Sequence, residues 1–119
     1  MKTKVITTDD FEKSAKPLLK RYASLKSELQ KLSNDLKENP TLGVSLGSGV
    51  YKIRLAIKSK GKGKSGGARV ITYFDLEVLV ETETKEEYNR VFLLEIYDKS
   101  ETDSISAKDI EKLTNRRFD

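Results

Sequence analysis

The sequence predicts an α+β domain: a small, mostly antiparallel β-sheet with an N-terminal αα-hairpin and a C-terminal helix packed on one side of it. Three observations lead there. Residues 9–39 carry two apolar stripes at helical spacing. Residues 50–97 carry runs with strand character. The resulting order, βαα then βββα, has no internal repeat, and 119 residues make a single domain, 1–119.

Val5, Ile6 and Thr7 form a short first strand. Asp9 then starts a helix, with Glu12 as its capping-box partner, and Phe11, Ala15, Leu18, Leu19 and Tyr22 line one face. Pro17 lies inside that stripe and is expected to kink it near Lys13 and Ser14. Ser24 or Ser27 opens a second helix, with Leu25, Leu29, Leu32 and Leu36 facing inward, and Asn39-Pro40 ends it. Residues 41–49 read as a Gly/Ser-containing connection. Strand-like runs follow at 50–57 and 68–74, the latter extending towards Val80. Residues 81–90 read as a polar turn, and the near-continuous apolar run at 91–97 as a central strand covered on both faces. Ser106 and Asp109 cap a last helix that turns Ile110 and Leu113 inward.

Charge is distributed unevenly. Residues 50–73 hold seven basic side chains and no acidic one, whereas residues 74–119 hold seven basic and thirteen acidic. A hairpin this basic points to a phosphate backbone as partner. The chain has no cysteine and no histidine. That excludes disulfides, a His/Cys zinc site, a Ser-His-Asp hydrolase and a His-based ribonuclease. No cofactor or metal is called for. No apolar stretch has signal-peptide or membrane-span length, so the expected location is cytoplasmic, with no membrane partner.

Strand alternation sorts the basic hairpin into faces. Lys52, Arg54 and Lys58 share one face, and Tyr51, Ile53, Leu55 and Ile57 the other. If Val70 and Phe74 meet the helices, Arg69 and Tyr73 join Lys52 and Arg54. Taking Phe92, Leu94 and Ile96 as the core set of the last strand leaves Glu95, Tyr97 and Lys99 on the open side. A single β-bulge would break this parity. Cations that hold phosphates, interleaved with tyrosines that stack on unpaired bases, suit single-stranded RNA. The same side chains also fit the ordinary polar face of an amphipathic strand. Cleavage without histidine can proceed by attack of the RNA's own 2′-OH, with Arg and Lys stabilising charge and a shifted Lys, Tyr or Glu moving protons.

Gly61, Gly63 and Gly66 satisfy G-x-G-x-x-G, but the dinucleotide fingerprint needs a helix next, and here a strand follows. The segment reads instead as a hairpin loop whose lysines, Lys58, Lys60, Lys62 and Lys64, track a phosphate backbone.

Several segments together resemble the RelE/HigB superfamily of type II toxin–antitoxin toxins, most closely its longer HigB-like branch. They are DDFEKSAKPLLKRYASLKSEL, GVYKIRLAI, GKGKSGGARVITYF, VFLLEIYDKSE and SAKDIEKL. The resemblance implies a small twisted sheet of the RelE/ParE type. It implies a metal-independent endoribonuclease that cleaves mRNA in the ribosome, and a cognate antitoxin of helix-turn-helix type as partner. It assigns catalysis to Lys52, Arg54, Arg69 and Lys99, with Glu95 as a further candidate base or, equally, a charge partner for Arg69 or Lys52. Tyr73 or Tyr97 would stand in for a tyrosine that some members carry near the C-terminus. The alternatives are a non-catalytic inhibitor on the same scaffold, as the gyrase poisons of the superfamily are, or a plain RNA-binding module.

Overall fold

The computed structural model describes residues 1–61, 63, 66–101 and 105–114. The chain runs β1 (Lys2–Thr7), α1 (Asp9–Arg21), α2 (Leu25–Glu38), β2 (Val44–Gly47), β3 (Val50–Leu55), a single 3-10 turn (Lys58–Lys60), β4 (Ala68–Val80), β5 (Glu87–Asp98) and α3 (Ala107–Thr114). The five strands form one sheet in the order β1-β5-β4-β3-β2. Among the described residues only the β1–β5 pair is parallel, and β1 is the strand that the two helices separate from the rest of the sheet. The α+β class and the mostly antiparallel sheet expected from the sequence are both present.

Each helix begins where local chemistry allows. Thr8, not Asp9, caps α1: its hydroxyl accepts from the Phe11 amide at 3.2 Å and donates to the Leu93 carbonyl at 2.8 Å. Asp9, Asp10 and Glu12 then sit in the first turn, where the helix dipole favours negative charge. α1 continues without interruption through Pro17 to Arg21. Ser106 caps α3 as expected, its hydroxyl accepting from the Asp109 amide at 3.1 Å. The connection before β3 contains a strand, β2, that its Gly/Ser composition concealed.

Two cores lie on opposite faces of the sheet. On one, Phe11, Ala15 and Leu18 of α1 and Leu25, Leu32 and Leu36 of α2 pack on Ile53, Val70, Val91, Leu93 and Ile96. On the other, Leu113, Ile110 and Ile105 pack on Val50, Ile71, Phe92 and Leu94. The expectation that all helices share one side is therefore corrected: α3 covers the face opposite α1 and α2. Tertiary burial explains it. Val91, Phe92, Leu93 and Leu94 are consecutive and all buried, so both faces of β5 need an apolar cover.

A β-bulge on β5 separates the expected core set. Ile71 pairs with Glu95 and Thr72 with Leu93, so Leu94 has no partner in β4. Phe92 and Leu94 consequently lie with α3, and Ile96 alone of the expected three lies with α1 and α2.

Candidate RNA-binding face

The register places most of the sequence-derived residues in adjacent rows across three strands. Arg54 pairs with Arg69, and Arg69 with Tyr97. Two residues along, Lys52 pairs with Ile71, and Ile71 with Glu95. A further row runs from Val50 through Tyr73 to Phe92. Neighbouring strands lie about 4.8 Å apart, so the long side chains of one row can reach a single phosphate. The bulge leaves Glu95 and Tyr97 on this face.

Burial distinguishes these residues. Arg54 is exposed and Lys52 half-buried. Arg69 is only 5% exposed, and its Nη1 donates to the Ala68 carbonyl at 3.1 Å. The open face expected from the sequence is thus open only around β3, because Ile105 and α3 cover the β4–β5 end. The Tyr97 hydroxyl is buried with no hydrogen-bond partner among the described residues. Burial pushes that phenol's pKa up, against the pull of the Arg69 charge and the nearby Ile105 backbone. Tyr73 is half-buried and stacks on Phe92, with ring centroids 6.4 Å apart. One of its ring faces is therefore already in use.

Glu95 lies past the end of β1, where β5 has become the edge of the sheet and α1 passes beside it. Burial raises its carboxyl pKa, a hydrogen bond with Ser14 opposes the rise, and Asp10 and Asp109 add to it. Arg69 and Lys52 are not among the groups that set this shift.

The loop lysines have different surroundings. Lys58 is exposed, and its backbone amide donates to Glu28 Oε2 at 2.7 Å. The Lys60 ammonium is committed: it donates to Asp98 Oδ1 and, at 3.1 Å, to the Ser100 hydroxyl. Its side chain is only 8% exposed, so of the loop lysines expected to meet RNA it is one that is already paired within the protein. Lys62 and Lys64 lie outside the described residues. Lys99 is half-buried, and its backbone amide donates to the Gly67 carbonyl at 3.0 Å. Gly67 has no room for a side chain, because a Cβ there would collide with the Leu55 carbonyl oxygen on the neighbouring strand.

Two features were not foreseen. Asp98 is 2% exposed and collects several donors: Tyr22 Oη at 2.6 Å, the Ser100 amide at 2.9 Å, the Ser100 hydroxyl at 2.8 Å and the Lys60 ammonium. Burial alone would raise this carboxyl's pKa, but the bonds from Lys60, Tyr22 and Ser100 outweigh it and hold it well below the usual carboxylate range. In the sequence Asp98 sits in a stretch of alternating charges, with nothing to mark it. The second feature is a groove of about 670 Å³ between α2 and the edge of β3, lined by Glu28, Lys31 and Asp35 on one side and by residues 52–56 and Lys58 on the other. It exists because β2 pairs with β3 only at Val50, Tyr51 and Lys52, leaving the rest of that edge uncovered by a strand. Among the described residues, no cluster of three or more Asp or Glu side chains is arranged to hold a metal ion, and no helix is long and apolar enough to cross a membrane.

A protein-family model described as "RelE toxin of RelE / RelB toxin-antitoxin system" matches residues 3–116, nearly the whole chain. No solved structure matches it.

Proposed function

This chain belongs to the RelE toxin family, and from that premise we propose that it is a ribosome-dependent mRNA endonuclease of the HigB-like branch that inhibits translation in the cytoplasm. It is a toxin of a toxin–antitoxin system and has an antitoxin as partner. The observation that carries the proposal is the row Arg54–Arg69–Tyr97 beside the row containing Lys52 and Glu95, all on one face of a rigid sheet. Rigid strands hold such side chains more precisely than a loop would.

In this reading the exposed Arg54 and the half-buried Lys52 bind the scissile phosphate. Arg69, beneath them, adds fixed positive charge in a dry environment, where charge stabilisation is strongest. The 2′-oxygen attacks phosphorus and the bond to the 5′-oxygen breaks. The products are a 2′,3′-cyclic phosphate and a free 5′-hydroxyl. Glu95 accepts the 2′-OH proton, and Lys99 at the strand end stabilises or protonates the leaving oxygen. Lys58, Lys62 and Lys64 attract the backbone. The chemistry in this scheme needs no metal.

One observation favours the non-catalytic alternative: the burial of Arg69 and of the Tyr97 hydroxyl. A single experiment separates the two. Induced expression of the wild type should arrest growth and produce codon-phased cuts in mRNAs only when ribosomes translate them. Arg54→Ala should lower cleavage by roughly a hundredfold or more, as loss of a charge-stabilising group does, with the fold unchanged because Arg54 is exposed. Growth arrest without any cut would establish the non-catalytic reading.

A further inference from the structure

We infer that Asp98 is a positioning residue that sets where Lys99 and the base of the basic loop stand relative to Arg69; the inference rests on the RNA-cleavage reading of this face. A carboxylate taken out of water is costly unless it is fully hydrogen-bonded, and Asp98 meets that condition with donors from three separate segments. Tyr22 comes from the end of α1, Lys60 from the 3-10 turn where the basic loop begins, and Ser100 from the turn after β5. Lys99 lies between Asp98 and Ser100, so the chain on both sides of it is fixed to one carboxylate. Two further contacts secure the same turn. The Glu101 amide donates to the Asp98 carbonyl at 3.0 Å, and the Arg21 guanidinium pairs with Glu101. On the inner side, the Lys99 amide is bonded to the Gly67 carbonyl, two residues before Arg69. Lys60 also lies 5.6 Å from the centre of the Tyr22 ring, which closes the cluster against α1.

A buried ion pair is a weak net stabiliser compared with an apolar filling of the same volume. What an apolar filling could not supply is direction: one carboxylate orients three helix, loop and strand ends at once. Lys60 therefore serves the RNA face without touching RNA.

The test uses the full chain, translating ribosomes and a labelled mRNA. Asp98→Asn should lower kcat roughly ten- to a hundredfold, the scale of loss expected from a small misplacement of a catalytic group, while changing ribosome affinity less. Because Asp98 acts through Lys99, the double variant Asp98→Asn/Lys99→Ala should be no slower than Lys99→Ala alone. Lys60→Met should leave the salt dependence of ribosome binding unchanged, and Lys60→Arg should restore part of the activity that Lys60→Met removes. Additive effects in the double variant would overturn the inference. So would a fall in the log–log salt slope of about 0.7–0.9 for Lys60→Met, the mark of a direct phosphate contact. Hydrogen exchange at the Lys99 amide gives a readout independent of activity. It should quicken in Asp98→Asn and in the milder Tyr22→Phe, and unchanged exchange in both would overturn the inference even if the wild type cuts no RNA. A wild type that cuts nothing while exchange quickens as expected would sink the cleavage reading and leave Asp98 as the residue that holds Lys99.

Discussion

Arg54 and Arg69 are directly opposed in register yet differ in kind. Two like charges facing each other across a strand pair destabilise it, and here one is exposed while the other is almost fully covered by protein. Arg54 is thus the cleaner probe of function, since replacing Arg69 would also leave a void in the packing. The two perturbed carboxyls make opposite contributions to pH dependence. The folded-state pKa of Asp98 lies below its unfolded value. It therefore contributes stability that is fully present above the unfolded pKa and is lost as pH falls towards the folded one. The folded-state pKa of Glu95 is raised. It therefore costs stability at neutral pH, and the cost is relieved as pH falls through the folded pKa. Thermal melts from neutral to acid pH should show Asp98→Asn with a lower Tm at neutral pH and a shallower acid decline. Glu95→Gln should melt higher than wild type at neutral pH and cleave about a hundredfold or more slowly if Glu95 is the base.

Among the elements, the basic loop and α3 decide how the face is used. The loop leaves β3 through a 3-10 turn whose Lys60 is tied down, so the lysines proposed to reach RNA are Lys58 and, beyond the described residues, Lys62 and Lys64. Replacing those three by Gln should lower the log–log salt slope of ribosome binding by about 0.7–0.9 for each lysine that meets a phosphate; an unchanged slope in a binding titration would place the loop away from RNA. α3 is a short helix, Ala107–Thr114, held chiefly by Leu113, Ile110 and Ile105. Leu113→Asp puts a charge into that packing and should release α3 while the larger core beneath α1 and α2 persists. The Tyr97 phenol, raised by burial, should then titrate nearer its ordinary value, read as a shift in one of the five tyrosines by ultraviolet titration. No shift would mean that α3 does not determine how Tyr97 is covered.

At the scale of the molecule, charge separates two ends. The basic stretch is confined to residues 50–73, and the distal half of the β4–β5 hairpin carries Asp75, Glu77, Glu81, Glu83, Glu86 and Glu87. Part of that acidity is neutralised internally: Arg90 pairs with Asp75 at 2.9 Å and Lys4 with Glu81 at 2.7 Å. If the basic face steers an acidic or phosphate-bearing partner, that association should be fast and salt-sensitive. Antitoxin and ribosome should compete for this protein in a pull-down. Recovery of a ternary complex that still cuts mRNA would show that the two occupy separate surfaces.

Much of this was legible in the residues. The helical stripes of α1 and α2, the strand runs, the Ser106 cap and the basic hairpin all depend on local spacing and local chemistry, which a one-dimensional reading captures. That Arg54, Arg69 and Tyr97 share a face also followed from period-two alternation. What needed the tertiary structure was whatever depends on a residue's distant neighbours. The bulge at Leu94 is set by fitting β5 against β4 and two cores at once, and it moved Phe92 and Leu94 to the far face. α3 chose that face because the apolar surface of β5 there had no other cover. Lys60 and Asp98 stand thirty-eight residues apart, and a buried ion pair has no sequence period. The residues themselves determined which side chains could meet a phosphate; the fold decided which of them remain free to do so, because burial and pairing are properties of packed surfaces rather than of the chain.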